Sequence, residues 1–517
     1  MKNKSQLKAG AILSYASIVL NIVAGLLYTP WMKEQIGQAS FGLYTLANSL
    51  ITLFLVDFGL STAVSRYVSK YRAEGDQEKI DKFLGAVYKL YLLIDAIILI
   101  ALVVIFFLID KIYVNLTPTE LENFKVIYVI SALFAVVNFP CVTFNGILNA
   151  YEKFVPLKMA DVIYRVLLVG ITVVALLLNG GLYALVAVHA IVGLVVIVYK
   201  FIVIKKTTPV KVNFKSQEKG IFKEIFSFSI WVTISSIAQR LIFNITPTII
   251  GTVVTAASVT IAVFGIVTTL EGYTFTVTGA INGMFMPRIA KLYEEKGENT
   301  DLTPLLLKVG KFQFALNGLI VVGFFTIGRS FITLWTGPED LDAYWGLLLV
   351  CIPGIFYNSL QIANTAIVVR KKVHIQAIVN CITGGINIGL SFLFSYYYGV
   401  IGACLSICIA YTVRAILLII LYGKHLEINM PKFIKNCYIR MLIPLLIAGG
   451  LGYLMNYFFE KGGWINLGIR GVIITATYAI LLYLIGLNRN ERSAINHTIK
   501  KIFGKIFKRK QNNKKAE

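Results

Sequence analysis

The sequence predicts an all-α polytopic membrane protein of about fourteen transmembrane helices, arranged as two pseudo-symmetric six-helix bundles plus two C-terminal helices. Three observations carry this reading. The 517 residues are 57% hydrophobic and only 15% charged, and the apolar residues arrive in blocks of roughly 20 or more, the length that crosses a bilayer. Lys and Arg gather on alternate loops. The first apolar hairpin also has a second copy much later in the chain.

The spans run at 9–30, 41–64, 83–109, 126–149, 159–179, 183–204, 226–250, 258–284, 310–332, 343–369, 375–396, 400–422, 438–458 and 466–487. No alternating strand pattern accompanies them. Backbone groups in lipid must be satisfied within the segment, so each span is expected as a helix. The start, Met1 to Lys8, is basic and runs into the first span without a small-residue cleavage site, which predicts a retained helix rather than a removed signal.

The hairpin 8–66 sets the plan. Ser14, Ser17 and Asn21 make a polar line along its first helix, and Thr233, Ser236 and Arg240 repeat that spacing 219 residues later. Pro30 recurs as Pro247, and Ala39-Ser40 as Ala257-Ser258. Spacings of three and four put such residues on one helical face. Two striped copies predict two lobes facing a shared cavity; the plainer alternative is that small polar residues help membrane helices pack.

Orientation follows from charge. The N-terminus, the loops 65–82, 150–158, 205–225, 285–311, 370–374 and 423–437, the tail and Lys200 hold 38 of the 49 Lys and Arg. The opposite loops hold four: Lys33, Lys111, Lys125 and Lys461. Both termini are therefore expected in the cytoplasm, and the net charge of +23 needs no nucleic acid. Trp31, Trp335, Trp345 and Trp464 fall at outer span ends, and Trp231 near an inner one, as an interfacial belt requires. The expected organisation is an N-terminal bundle (1–204), a cytoplasmic linker (205–225), a C-terminal bundle (226–430), two further helices (431–487) and a basic tail (488–517). Within that tail, 493–510 has the pattern of an interfacial amphipathic helix.

Catalytic patterns are missing. There is no G-x-x-x-x-G-K-[ST], no H-E-x-x-H, and the four histidines are scattered. The six cysteines lack metal-ligand spacing, and disulfides are not expected. No enzyme and no cofactor is predicted. What remains is charge inside the membrane, which costs roughly 2.5–3.5 kcal/mol even on the permissive insertion scale. Arg240, Glu271 and Asp95 lie near mid-span, while Arg414 and Asp57 lie in inner halves. Arg240 and Glu271 are expected to pair, as a switch or as a fixed tie. Asp161 and Arg165, four apart, are able to pair with each other. Lys89, Arg329, Arg440 and Arg470 sit near span ends, where long side chains reach the interface. Polar stripes add Asn138, Asn145 and Asn149; Asn358, Gln361 and Thr365; Thr274 and Thr278; and Asn244 beyond Arg240. Several helices with one polar face each predict a wide, partly cationic cavity. Such a cavity suits a large, hydroxyl-rich, anionic solute better than an ion pore does.

Ile36-Gly37-Gln38-Ala39-Ser40-Phe41-Gly42-Leu43-Tyr44, followed by Asp57-Phe58-Gly59-Leu60 and Arg66, resembles the start of the polysaccharide-exporting flippases of the multidrug/oligosaccharidyl-lipid/polysaccharide exporter superfamily. The specific run covers about 40 residues. The resemblance implies a V-shaped pair of bundles that open alternately to either side of a bacterial cell membrane. It also implies a lipid-linked oligosaccharide substrate on polyprenyl pyrophosphate, with Arg240 and Arg414 holding the pyrophosphate. Glu271, Asn21, Asp57, Asn145, Asn244, Asn358 and Gln361 complete the candidate cavity. Membrane lipids, and glycosyltransferases or a polymerase of the same pathway, are the candidate partners. A cation-coupled small-molecule exporter, for which Asp57, Asp95 and Glu271 speak, and a non-transporting scaffold of a glycan-assembly complex are the alternatives. For the topology, reporter fusions after residues 115, 338 and 462 are expected to read external, and those after 75, 215 and 490 internal. Consistent reversal at any pair contradicts it.

Overall fold

The computed structural model describes residues 2–55, 59–214, 219–282, 285–297, 300–370, 372–426, 428–458, 462–493 and 496–497. Every regular element among them is a helix. The first half opens with α1 (Lys2–Ile36), which carries Pro30 inside it. Gly37, at φ 82°, makes the turn that a side chain would strain. It leads into α2 (Gln38–Phe54), and after a break α3 (Leu60–Glu74) continues. Asp57 lies outside the described residues. Next comes α4 (Gln77–Ile112), capped by Asp76, which accepts from the Lys79 N–H. That bond holds the Asp76 carboxyl below its usual range. A Thr117–Glu120 capping box starts α5 (Pro118–Cys141). The half ends with α6 (Thr143–Ala150), α7 (Phe154–Leu177) and α8 (Gly181–Thr207).

The second half contains α9 (Lys219–Phe243), α10 (Thr246–Val253), α11 (Ala257–Asn282), α12 (Met286–Lys296) and α13 (Thr303–Trp335). It continues through α14 (Asp342–Asn358), α15 (Gln361–Val369) and α16 (Val373–Leu426) to α17 (Met430–Phe433), α18 (Arg440–Phe458) and α19 (Trp464–Leu481). Gly399, at φ 55° and ψ −130°, bends α16 into two arms.

The fourteen expected spans fall on helical segments, but the count itself is not reached by length and hydropathy. By that measure ten described helices can cross a membrane, or eleven if α14 and α15, bent by 49°, form one span. The reason lies in the breaks. Only 17 residues make up α2, the seventh span divides into α9 and α10, and the two arms of α16 count once. Spans one and seven also differ, since α1 runs unbroken through Pro30 while Pro247 opens α10. Large side chains on the outside, such as Phe107 and Leu178, stay exposed, as a surface bathed in lipid requires.

Within the first half α1 packs on α7, α7 on α8, α8 on α5, and α5 on α4 and α2. Within the second, α16 packs on α9 and α14, α14 on α13 and α11, and α18 and α19 close on α13. The halves meet along α2 and α11. Gly42 makes that approach possible: a Cβ there would stand 1.8 Å from the Ser258 carbonyl oxygen.

At the lysine-poor end polar bonds tie the halves together. Lys33 Nζ is ion-paired with Asp340, lies 3.0 Å from Glu339 Oε1 and donates to the Thr336 carbonyl at 3.1 Å. Gln38 donates to Asp340 Oδ1 at 2.9 Å, and the Trp335 indole N–H to the Leu26 carbonyl at 2.6 Å. Burial pushes the Asp340 carboxyl up against the pull of Lys33, while hydrogen bonds from its own N–H and from Lys33 hold Glu339 down. Ser258 donates to Glu120, and Asn115 to the Thr252 carbonyl at 2.6 Å.

Gly42→Ala is expected to cost about 1–3 kcal/mol by overpacking against backbone. It lowers the thermal midpoint of the purified protein, whereas Gly450→Ala, with open space around it, does not. Equal midpoints for the two variants contradict the close α2–α11 contact.

Candidate functional site

Five helices of the first half, α1, α5, α6, α7 and α8, line a cavity of about 520 Å³ in the lysine-rich half of the bundle. Its depth follows from chain direction. Ser17 and Asn21 come from the early part of α1, Asn138 from the late part of α5, Asp161 and Arg165 from the early part of α7, and Lys200 from the late part of α8. The spacing of Asn138 and Asn145, seven residues apart, keeps both amides on this side across the junction of α5 and α6.

Arg165 and Lys200 give the cavity its charge. Arg165 donates Nη2 to the Asn21 carbonyl at 3.2 Å, and its Nε is buried without a partner among the described residues. Lys200 donates Nζ to Asn145 Oδ1 at 3.0 Å. Asp161 is the lining carboxylate, and it pairs with Lys158 at 3.2 Å rather than with Arg165. The i,i+3 partner at the membrane surface wins it, and the expected Asp161–Arg165 pair does not form among the described residues. The cavity is therefore cationic on balance, with amides between its charges.

Arg165 also lines a deeper cavity of about 210 Å³, which holds Thr29, Tyr44, Asn48, His189 and Tyr273. Tyr44 and His189 hydrogen-bond at 3.1 Å. A third space, also about 210 Å³, shares Tyr164 with the first and Tyr44 and His189 with the second. The three are neighbours through these shared residues, and the second reaches α11 at Thr268, Thr269 and Tyr273.

The structure places the residues singled out from the sequence in several surroundings, and brings Glu271 and Arg414 together about Tyr411. Asn21 and Asn145 line the 520 Å³ cavity. Arg240 reaches across the halves and donates to the Thr52 carbonyl of α2. No ion pair joins it to Glu271 among the described residues. Glu271 instead lies near Cys351 and Tyr411, inside the second half. Arg414 is fully buried, its guanidinium 4.2 Å from the Tyr357 ring centroid. Asn358 accepts from Gln361 at 2.8 Å and donates to Asn317 at 3.3 Å, a buried network of the second half. Asn244 closes the end of α9 through its backbone bond to Arg240. Asp57 lies outside the described residues. Of the cations, Arg165 was read from its spacing as half of an ion pair, and Lys200 as a marker of topology. Their shared depth with the asparagine stripe was the available signal.

With this geometry in view, comparison with known proteins is informative. A model of the family described as "Polysaccharide biosynthesis protein" matches residues 7–293. The chain belongs to this family. It is 21% identical over 509 residues to the uncharacterized membrane protein EpsK of Bacillus subtilis (strain 168), covering 95% of this chain and 97% of that one. It is 22% identical over 522 residues to stage V sporulation protein B of the same organism, with coverage of 95% and 97%. Its fold matches that of the lipid II flippase MurJ in an inward closed conformation. That match has a TM-score of 0.69 at 16% identity and covers 92% of this chain and 98% of MurJ.

Replacing Arg165 or Lys200 by alanine is expected to weaken binding of an amphiphilic pyrophosphate ester by about 10- to 100-fold, the range of one charge-assisted hydrogen bond. Titration of the purified variants measures this. Unchanged affinity in both removes the two cations from the site.

Proposed function

We propose that this protein moves a lipid-linked oligosaccharide, borne on polyprenyl pyrophosphate, from the cytoplasmic to the outer leaflet by alternating access. On this reading the lysine-rich face is cytoplasmic and both termini lie there. Fourteen spans cross the membrane, and the bundles 1–204 and 226–430 are the two moving bodies. The single observation that carries the proposal is the Arg165–Lys200 cavity, cationic and amide-lined, on the lysine-rich side of bundles tied shut at the other end. The family is one of polysaccharide biosynthesis, and the fold is shared with a flippase of lipid II; both support a glycan on a lipid as cargo.

The chemistry of the cavity agrees. A guanidinium grips a diphosphate through two parallel N–H bonds, and an ammonium adds a point charge. Asn21, Asn138 and Asn145 supply donors and acceptors for sugar hydroxyls. Placing two cations inside a membrane bundle is costly, and a doubly charged cargo offsets that cost when it arrives. A cationic drug meets the wrong sign here, since Asp161 is already neutralised by Lys158. Glycosyltransferases of the pathway would deliver the cargo at the cytoplasmic face, and a polymerase would receive it outside.

The test is reconstitution into vesicles with a labelled lipid-linked oligosaccharide, read by a membrane-impermeant reagent that modifies only the outward-facing label. Translocation is expected above the protein-free rate, and the Arg165→Ala/Lys200→Ala double variant is expected to abolish it while still inserting. No translocation of any lipid-linked glycan, or equal transport by the double variant, contradicts the proposal.

A further inference from the structure

A second polar cavity lies outside the transport route. It occupies about 350 Å³ between α13, α14, α18 and α19, and Phe325, Arg329, Tyr344, Trp345, Asn456 and Arg470 are among its lining residues. No carboxylate lines it among the described residues. Its depth can be read from the helices: Arg329 stands six residues before Trp335, where α13 ends, and Arg470 six residues after Trp464, where α19 begins. At 1.5 Å per residue both arginines lie about 9 Å inside the lysine-poor ends of their helices, just below the interfacial tryptophans.

Arg470 is only 2% exposed. Its Nη1 donates to Asn456 Oδ1 at 2.9 Å, and Asn456 is committed in turn to the Thr326 carbonyl at 3.0 Å. The Nε and Nη2 of Arg470 are buried with no partner among the described residues. A buried guanidinium edge with two open N–H groups is a bidentate donor site for an oxyanion. Arg329 adds an exposed second cation at the same cavity. Trp345, Tyr453 and Tyr457 are exposed around the mouth, where aromatic faces meet the upper part of lipid chains. Snorkelling explains the position of Arg329, but not that of Arg470, which points no charge at water.

We infer that this cavity binds the phosphate of a membrane amphiphile from the lysine-poor leaflet, with Arg470 and Arg329 on the phosphate oxygens and the aromatic rim on the chains. The inference stands apart from the cargo route, since none of these residues lines the Arg165–Lys200 cavity. Two amphiphiles carry the required group: an anionic glycerophospholipid and a polyprenyl phosphate.

The test uses the full-length protein in detergent, titrated with phosphatidylglycerol, with a polyprenyl monophosphate, and with diacylglycerol as the uncharged control, and read by native mass spectrometry. At least one phosphate amphiphile is expected to bind tenfold or more tightly than diacylglycerol. Arg470→Gln and Arg329→Gln are each expected to reduce that affinity by about tenfold, with Arg470→Lys restoring only part. Preference for phosphatidylglycerol assigns the bilayer headgroup as ligand, and preference for the polyprenyl phosphate assigns a lipid carrier. Should Arg470→Gln fail to fold, exposed Arg329→Gln still gives the reading. Binding no tighter than that of diacylglycerol, or affinity unchanged in the variants that fold, overturns the inference.

Discussion

A buried lysine holds one end of this molecule shut. Lys33, 5% exposed at the end of α1, meets Asp340, which is not exposed at all, together with Glu339 and the Thr336 carbonyl. The partners lie more than 300 residues apart in sequence, so the pair joins the two halves rather than bracing one of them. Removing one member of a buried pair costs about 3–5 kcal/mol, because the other charge is left uncompensated. The end that carries few positive charges is therefore tied by a polar clasp, which borders a space of about 700 Å³ lined by Lys33, Gln38 and Glu339, with the Gly42–Ser258 contact packed beneath it. The main cationic cavity then lies toward the lysine-rich face. A site that gathers substrate from one side needs such a seal on the other.

The clasp and the cavity depend on the same helix. α1 supplies Asn21 and Ser17 to the cavity and Lys33 to the clasp, and the Asn21 carbonyl accepts from Arg165. Tyr273 of α11, from the other half, accepts a hydrogen bond from Arg165. A cargo that takes Arg165 away from these partners acts on both the α1–α7 and the α7–α11 contacts. That is the kind of differential contact through which a ligand shifts a two-state equilibrium.

Much of this was legible in the sequence. Apolar block length gave the helices, loop charge gave two chemically distinct faces, and the asparagine spacing at 138 and 145 gave one wall of the cavity. Depth along a span was also readable, and it drew attention to Arg240 and Arg414. Depth does not say which neighbour a side chain faces. Arg414 meets Tyr357 on another helix and is sealed off, and Arg240 finds a carbonyl of α2. The break between α9 and α10 was equally hidden, since Asn244 alone interrupts the apolar run before it. In the sequence Lys33 is one of four lysines on the lysine-poor side. Its partners sit in a short turn, Pro338–Asp340, that only the folded chain brings near.

The central claim is that the cavity opens to the lysine-rich side because Lys33 closes the other. A cysteine placed at Asn145, in a background with the six native cysteines replaced, reports this through a membrane-impermeant thiol reagent added to either side of oriented vesicles. The account predicts labelling from the lysine-rich side alone, and labelling from both sides once Lys33→Gln is added. Labelling from the lysine-poor side while Lys33 is intact, or no change on its removal, would contradict it.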